Sequence, residues 1–422
     1  MSWNSAGSWQ YQNQGLTGQL VQEIVRSGQN LFAACRGAIF RMGPGQDHFD
    51  YASQGLPIEN SENTVYSALA AHPQHEGELI AGSGLLYRDG IFRTTDAGAS
   101  WNVIGAGTPN FYTVDNDVAY DPVSPQIFYV ATNAGMLRTT NGGASFSSIN
   151  SGLGNLTDMV MAVDPVHPAQ LYLGTGGAGI YRSSNRGDQW VQSNAGIQDP
   201  APEIQDLAVD ARNPSVLYAT NLQTLPTSLY KSTSAGVSWF QVVNDLPSAA
   251  SRVGVDLLDS NQLYVVAQDY HIYQSSNGGG NWTILQGDLY YTRTWQDPLD
   301  SSALWAATLG SGAARLDLPV SAVAFGPAGD RLRGGIVPNP FTTCTRISWN
   351  LPGDRDASGG TRRSVWAGIY DARGRLVRRL LLPGSPTWDG TDGEGHKMPS
   401  GRYFVRLKWE GGAETGSVVL VR

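Results

Sequence analysis

Cysteine is nearly absent from this chain of 422 residues, which contains only Cys35 and Cys344. Two isolated thiols form no metal-binding or redox motif, and we expect both to be buried as small apolar side chains. The sequence has no run of 18 or more apolar residues, so it predicts no transmembrane segment. Only 15% of the residues are charged and the formal net charge is −8, which argues against nucleic-acid binding through a basic surface.

Material for helices is also scarce, because the chain has six methionines and few long tracts of Leu, Ala, Glu or Lys. Glycine (51), tyrosine (18) and tryptophan (12) are plentiful instead. Tight hairpins need Gly, Asn or Asp, and β-strands favour aromatic and β-branched side chains. This composition predicts an all-β protein, and the length allows more than one domain.

One short pattern recurs along the first three quarters of the chain. It reads Gly-Ile-Phe-Arg-Thr-Thr-Asp-Ala-Gly-Ala-Ser-Trp at 90–101, with further copies at 135–146, 179–190, 228–239 and 271–282 and a decayed copy at 38–49. The aromatic residues that close the copies are 43 to 52 positions apart. A period of this length is typical of a fold built from repeated supersecondary units.

Each copy is predicted to form a tight hairpin. An Asp or Asn side chain can bond back to the turn backbone, a Gly supplies positive φ at little cost, and the closing aromatic residue packs against the sheet. We therefore expect a structural role for Asp96, Gly98, Trp101, Asn141, Gly143, Asn185, Gly187, Trp190, Trp239, Asn277, Gly279 and Trp282.

Two further strand-like segments precede each hairpin, as at 117–120 and 126–130. Four strands per unit predict the blade of a β-propeller. Six units end at the closing aromatic residues, and a seventh at 290–317 lacks its fourth strand. The segment around Trp9 resembles the end of a hairpin and can supply that strand, which removes two open sheet edges. The sequence thus predicts a seven-bladed β-propeller over 1–317, closed by an N-terminal strand.

The hairpin pattern resembles the Asp-box, or bacterial neuraminidase (BNR) repeat. This repeat occurs in sialidases, xyloglucanase-type glycoside hydrolases, sortilin-type receptors and photosystem assembly factors. The resemblance covers residues 1–317 and implies a β-propeller. Because that family mixes enzymes with binding proteins, it implies no particular activity.

The pattern changes after residue 317, which predicts a second domain. Residues 318–336 contain Gly and Pro and are expected to form a linker. Residues 337–422 alternate strand-like segments with Gly/Asp turns, which predicts a small immunoglobulin-like β-sandwich. The spacing of Asp389, Asp392 and Glu394 is not that of an EF-hand, and we expect a plain turn there.

This second domain resembles the C-terminal sorting domain of type IX secretion substrates and the related domain of flagellar hook-capping proteins. The resemblance implies a bacterial protein that is secreted or held at the outer-membrane surface, with the secretion machinery as a partner. The first residues lack the basic and apolar regions of a signal peptide. Export therefore assumes a leader that is absent from the sequence as given.

Propeller ligands usually bind on the face opposite the hairpins. Aligning the repeats places Gln22, Ala68, Asp117, Val160, Asp206, Arg252 and Arg293 at the entry of the inner strands. The candidate ligand-binding residues on this face are Tyr87, Arg88, Tyr112, Asp117, Asp206, Arg252, Tyr270, His271, Tyr291 and Arg293. Two interpretations stay open: a solvated ring of mutually paired charges, or a site for a polar ligand on which tyrosines stack. In the second, the two arginines would bind an anion.

Catalysis receives little support from the sequence. The six histidines have no metal-ligand spacing, and no Gly-x-Ser-x-Gly motif is present. A sialidase-like site would need three arginines, and a xyloglucanase-like cleft lies between two tandem propellers. We expect a monomeric, non-catalytic propeller without cofactor or metal that binds a glycan or an extracellular protein. The alternative is an Asp-box glycoside hydrolase using acids such as Asp117 and Asp206. A photosystem-type assembly factor is a third interpretation, which the C-terminal domain disfavours.

Overall fold

The computed structural model describes residues 9–11, 14–16, 19–57, 65–84, 90–105, 117–157, 159–222, 229–242, 246–257, 259–285, 290–296, 303–308, 311–317, 333–337, 345–350, 366–370, 376–381, 387–399, 401–409 and 412–420. These residues contain strands and turns but no helix, so none of them forms a helix able to cross a membrane. The chain divides into two compact units. One comprises Ala6–Gln296 with Leu304–Asp317, and the other comprises Met1–Ser5, Asp297–Ala303 and Leu318–Arg422.

The first unit is built from short strands, most of them two to seven residues long. In chain order they are β1 (Trp9–Tyr11), β2 (Val21–Ser27), β3 (Asn30–Cys35), β4 (Ile39–Met42), β5 (Asp50–Tyr51), β6 (Val65–Ala71), β7 (Leu79–Gly84), β8 (Gly90–Thr94), β9 (Asn102–Ile104), β10 (Asp117–Tyr120), β11 (Phe128–Thr132), β12 (Gly135–Thr139), β13 (Ser147–Ser148), β14 (Val160–Val163), β15 (Leu171–Thr175), β16 (Gly179–Ser183), β17 (Val191–Gln192), β18 (Ile204–Val209), β19 (Leu217–Asn221), β20 (Leu229–Ser232), β21 (Phe240–Gln241), β22 (Ala250–Val255), β23 (Leu263–Ala267), β24 (Ile272–Ser275), β25 (Thr283–Leu285), β26 (Tyr291–Gln296), β27 (Ala303–Thr308) and β28 (Gly312–Asp317).

These strands form seven four-stranded antiparallel sheets, which we number as blades in chain order. Blades 1 to 6 are β2–β5, β6–β9, β10–β13, β14–β17, β18–β21 and β22–β25, and blade 7 is β26–β28 with β1. The first strand of each blade contacts the first strand of the next, and β26 contacts β2. The first strands therefore surround a common centre, and the all-β propeller expected from the sequence is confirmed.

The N-terminal strand closes the ring of blades. β1 pairs antiparallel with β28, so that Trp9 lies opposite Leu316 and Tyr11 lies opposite Ala314. The last blade is thereby completed by the first strand of the chain, as the sequence predicts. This pairing leaves no blade with a missing outer strand among the described residues.

The hairpins between third and fourth strands owe their shape to a small hydrogen-bond network. Asp96 Oδ1 accepts bonds from Thr94 Oγ1 (2.7 Å) and from the Ser100 backbone N–H (2.8 Å), and Thr94 Oγ1 accepts the Gly98 N–H (3.0 Å). Ala97 and Gly98 have φ of 56° and 80°, a pair of left-handed residues that tightens the turn. The same arrangement recurs around Asn141, Asn185, Ser234 and Asn277. This network occupies the polar side chains of the turn, which is what a structural role requires.

The closing aromatic residues fasten each hairpin to the preceding blade. Trp101 is 3% exposed and its Nε1 donates to the Ala52 carbonyl at 2.8 Å. Trp190 Nε1 donates to the Ile149 carbonyl at 2.7 Å in the same way. The indoles of Trp101 and Trp190 thus bury a large apolar surface between blades while their Nε1 atoms are hydrogen-bonded.

The turn between first and second strands carries an aspartate in blades 3 to 6, whose Oδ1 accepts backbone N–H groups of the turn. In blade 3 the other oxygen of Asp121 accepts the Nε of Arg186 from the next hairpin at 2.9 Å. In blade 5 the corresponding Oδ2 of Asp210 is buried and has no hydrogen-bond partner among the described residues. The next hairpin has Gly278 where blade 4 has Arg186. Blade 5 therefore lacks an ion pair that blade 3 has.

The second unit contains two sheets. Its strands are β29 (Arg333–Val337), β30 (Thr345–Asn350), β31 (Trp366–Tyr370), β32 (Leu376–Leu381), β33 (Thr387–Trp388), β34 (Gly401–Trp409) and β35 (Gly412–Leu420). One sheet has the order β29-β30-β33 and the other the order β32-β31-β34-β35. The first strand begins at Arg333, so the last residues of the expected linker 318–336 are strand.

A small core and a closed turn organise this second unit. Trp388 is fully buried, packs edge-on against Tyr403 at 4.8 Å, and donates its Nε1 to the Thr391 carbonyl. Asp389 Oδ1 accepts the Thr391 N–H at 3.1 Å, and Asp392 Oδ1 accepts the His396 N–H at 2.9 Å. These bonds within the turn give both carboxylates a local structural task.

Candidate functional site

The pairing of first and second strands defines one equivalent position near the entry of each first strand. In each second strand we take the first buried Leu or Phe and count three residues onward. The first-strand residue that pairs with this position is the equivalent one. We call this set the mouth ring, and it consists of Glu23, Ala68, Asp117, Val160, Asp206, Arg252 and Arg293. Its charged members are three acids and two arginines.

The sequence alignment of repeats misplaced one member of the mouth ring. It gave Gln22 for blade 1, but β2 has a register shift between Val21 and Glu23, so that Glu23 pairs with Ala34. The same shift precedes the mouth-ring residue in blades 2, 5, 6 and 7, so the residue after the bulge is the equivalent one in blade 1 as well. The ring therefore contains a third carboxylate that the repeat alone did not reveal.

Glu23 connects blade 1 to blade 7. Its Oε2 lies 2.7 Å from the NH1 of Arg293, and its Oε1 accepts the indole Nε1 of Trp295. The Arg293 guanidinium also lies over the Trp295 ring, 5.8 Å from its centroid. Only 13% of the Glu23 side chain is exposed, so this ion pair is partly shielded from water.

Asp117 and Asp206 each hold the next blade by its backbone. Asp117 Oδ2 accepts the Met161 N–H at 3.1 Å, and Asp206 Oδ2 accepts the Val253 N–H at 2.9 Å. In both cases the donor directly follows the mouth-ring position of the neighbouring blade. These two acids, expected as ligand or catalytic groups, thus also brace adjacent first strands.

Arg252 faces a different partner from the other ring arginine. Its NH1 donates to the backbone carbonyls of Gln205 (2.7 Å) and Ser251 (3.2 Å). Burial lowers its pKa, and the Asp206 carboxylate opposes that shift. Since Arg293 is paired with Glu23, both arginines expected to bind an anion are already engaged within the ring.

Burial is the main cause of a change in the acidity of the ring. Burial raises the pKa of Glu23 to about 7, with Arg293 opposing the rise and Asp117 adding to it. Burial likewise raises the pKa of Asp117 to about 6, again against the influence of Arg293. At neutral pH the Glu23 carboxyl group is therefore protonated in part of the molecules.

An exposed pair of tyrosines lies beside the ring on the same face. Tyr270 is in the turn between β23 and β24, and Tyr290 directly precedes β26. Their rings are 5.7 Å apart at 80° to each other, and they are 45% and 61% exposed. Tyr290 is three residues before Arg293, so the pair lies near the same end of β26 as the Glu23–Arg293 ion pair.

Tyr270 has an unusual backbone conformation. Its φ is 64°, in the left-handed region that bulky residues rarely adopt. At the equivalent position blade 1 has Gly37, but blades 3 and 4 have Ala134 and Ala178. The Tyr270 N–H donates to the Ala267 carbonyl at 2.9 Å, and its own carbonyl accepts the Tyr291 N–H at 2.8 Å. These two bonds hold an exposed aromatic side chain in a strained backbone conformation.

The remaining predicted ligand residues divide into three groups. His271 is partly exposed, with its Nδ1 3.5 Å from Asp269 Oδ2, which also accepts the hydroxyl of Tyr273 at 2.6 Å. Tyr291 is completely buried, so its expected role in ligand contact is wrong: as the first residue of β26, its ring packs into the blade. Tyr87, Arg88 and Tyr112 lie outside the described residues.

A cluster that the sequence analysis did not single out lies in the turn between β6 and β7. His72, His75 and Glu78 bring their ligand-type atoms within 4.8 Å of one another. However, His72 Nδ1 accepts the backbone N–H groups of Gln74 and His75 at 3.1 and 3.0 Å, which places the proton of the neutral ring on Nε2. Glu78 is paired with Arg93 at 2.6 Å. His72 thus accepts the backbone N–H groups of its turn, as the turn aspartates do in blades 3 to 6.

Comparison with known proteins gives the fold and no family. No protein-family model matches the sequence, and no curated protein matches it. Among solved structures, a GH74 enzyme from Niastella koreensis is 18% identical with a TM-score of 0.59, covering 99% of this chain and 75% of that chain.

Two structures of YCF48 are also similar. YCF48 from Cyanidioschyzon merolae is 13% identical with a TM-score of 0.55, covering 74% of this chain and 99% of that one. YCF48 bound to D1 peptide is 11% identical with a TM-score of 0.54, covering 76% and 98%. At 11–18% identity these similarities show one thing, that the chain has the β-propeller fold of GH74 and YCF48 proteins.

Proposed function

We propose that this chain is a non-catalytic binding protein whose propeller takes a glycan or protein ligand on the face opposite the hairpins. The observation that carries this proposal is the exposed pair Tyr270 and Tyr290. A bulky residue held in the left-handed region is strained, and strain of this kind is typical of functional sites. Two adjacent exposed rings supply contact area to a sugar face, an apolar group or a cation.

The engagement of the ring acids supports binding over catalysis. A glycosidase needs two carboxyl groups free to flank a glycosidic bond. Asp117 and Asp206 each use one oxygen to hold a neighbouring backbone, and Glu23 is held by Arg293 and Trp295. Loss of these contacts would loosen the contact between first strands, which makes the acids poor candidates for a reacting pair.

A glycoside hydrolase is the second candidate, and one observation favours it. The pKa of Glu23 is raised to about 7, as a carboxyl group that protonates a leaving sugar requires. In this alternative Glu23 is the acid and Asp117 or Asp206 the second carboxylate. The similarity to a GH74 enzyme agrees with either candidate, because it concerns the fold.

We further propose that the second unit, Leu318–Arg422 for the most part, sorts or anchors the protein outside a bacterial cell through the secretion machinery. Its two sheets around Trp388 agree with a small immunoglobulin-like sandwich. Fusing this unit to a neutral reporter in a type IX-competent bacterium tests the proposal. Reporter retained inside the cell, with an intact export system, would refute it.

The binding proposal is tested by a glycan array run together with a reducing-sugar release assay on the same polysaccharides. Binding without sugar release, lost in Tyr290→Ala, is expected. The matched control is Tyr51→Ala, which removes a ring that is 56% exposed on the outer strand β5 and lies edge-on to Phe40 at 6.0 Å. Sugar release that disappears in Glu23→Gln would instead establish the hydrolase.

A further inference from the structure

The two arginines of the mouth ring suggest a site for an anion, but the ring contains more acidic than basic side chains. Glu23, Asp117 and Asp206 outnumber Arg252 and Arg293, and both arginines are already bonded, one to a carboxylate and one to backbone carbonyls. A ligand entering here meets no unmatched positive charge among the described ring residues. It meets carboxylates whose ionisation a positive ligand would favour.

The aromatic pair beside the ring has the same preference. Tyr270 and Tyr290 stand nearly perpendicular, so a group in the angle between them faces the π-surface of at least one ring. A cation over an aromatic face is attracted by the negative potential of that face. Asp269, one residue before Tyr270 and one third exposed, adds a carboxylate on the same turn.

Polypeptide and sugar ligands make different demands on such a surface. A neutral glycan stacks on aromatic rings but gains nothing from excess negative charge. A lysine or arginine side chain gains from both the rings and the carboxylates. The exposed tyrosines and the acidic ring lie at the same end of the first strands, because Tyr290 precedes Arg293 by three residues and Arg293 binds Glu23.

We propose that the tyrosine pair and the acidic mouth ring together bind a lysine or arginine side chain of a polypeptide ligand. This inference rests on the proposed function and specifies its ligand. The aromatic pair holds the alkyl stem and the cationic head, and the ring acids attract the charge toward the centre of the propeller. The ligand class is therefore a basic, extended peptide segment.

The experiment measures binding of a fluorescent tetralysine peptide and of its side-chain-acetylated counterpart to the full chain. We expect wild type to prefer the charged peptide, Tyr290→Ala to weaken that binding by about 2- to 30-fold, and Tyr51→Ala to leave it unchanged. Asp269→Asn and Glu23→Gln should each weaken binding and make it less sensitive to salt.

The outcomes separate this inference from the function on which it rests. Equal affinity for the charged and acetylated peptides, or binding of the charged peptide that survives Tyr290→Ala, would overturn the choice of a basic ligand. If neutral glycans bind through Tyr290 and lysine peptides do not, the binding function stands and the inference is wrong. If no ligand of either class depends on Tyr290, both are wrong.

Discussion

The buried carboxyl group of Glu23 makes the stability of the propeller depend on pH in an uncommon direction. Its pKa is about 7 in the folded chain against an ordinary value of 4.5. Between these two values the folded state binds a proton that the unfolded state has released. Raising the pH from about 5 to about 8 therefore removes stability instead of adding it.

The size of this effect follows from the shift. A difference of roughly 2.5 pKa units corresponds to about 3 kcal/mol of unfolding free energy, since each unit is worth about 1.4 kcal/mol. The full contribution is present below about pH 4.5 and is lost as the pH rises through about 7. The glutamine in Glu23→Gln cannot ionise, so the unfolding free energy of the variant should depend less on pH. Between about pH 5 and about pH 8 the variant should gain up to about 3 kcal/mol relative to wild type.

Urea unfolding followed by tryptophan fluorescence, at several values between about pH 5 and pH 8.5, measures this difference. Comparing wild type with the variant at each pH cancels the contribution of the second unit, which both share. The control is Asp188→Asn, because Asp188 is exposed and its charged partner is Arg138, which does not titrate in this range, so the slope should stay unchanged. Parallel pH profiles for wild type and Glu23→Gln would refute the account of a protonated, buried Glu23.

Two further substitutions test the structural reading of the repeat. Asp96→Ala removes the acceptor of the Thr94 and Ser100 bonds and should lower the unfolding free energy by about 1 kcal/mol, whereas exposed Asp47→Ala should not, as thermal unfolding will show. Gly278→Arg should give the buried Oδ2 of Asp210 the partner that Arg186 gives Asp121, and raise stability by up to about 1–2 kcal/mol. The control Gly45→Arg has a positive φ and open space around it, so it measures the backbone cost of placing arginine at such a position. If both substitutions change stability equally, the introduced arginine forms no ion pair with Asp210.

The sequence predicted the blades well because their information is local and repeated. Each hairpin is specified within a few residues, as in the bonds of Asp96 to Thr94 and Ser100, so five good copies suffice to recognise it. The closing strand around Trp9 was predictable for a related reason, since only a fourth strand was missing from the last blade. Periodic patterns carry such local rules from one unit to the next.

The candidate site was predicted less well because its determinants are not local. That Glu23, and not Gln22, is the ring residue of blade 1 follows only from the pairing of β2 with β3. The partners of Asp117 and Asp206 belong to neighbouring blades, more than 40 residues away. Tyr291 was expected on the surface because it adjoins Tyr290, but the alternation of a strand buries one of two neighbours and exposes the other.

Two features of the propeller are informative about function. Tyr270 holds a bulky side chain in the left-handed region, and Glu23 is a buried carboxylic acid of the mouth ring. Both lie on the face opposite the hairpins, where Glu23 contacts Arg293 and Tyr270 contacts Tyr290. A propeller that only needed to fold could have avoided a strained bulky residue and a buried acid with a raised pKa. Ligand binding on this face would explain both the strain at Tyr270 and the buried charge of Glu23. The binding hypothesis therefore depends on Glu23 and on Tyr290, the partner of Tyr270.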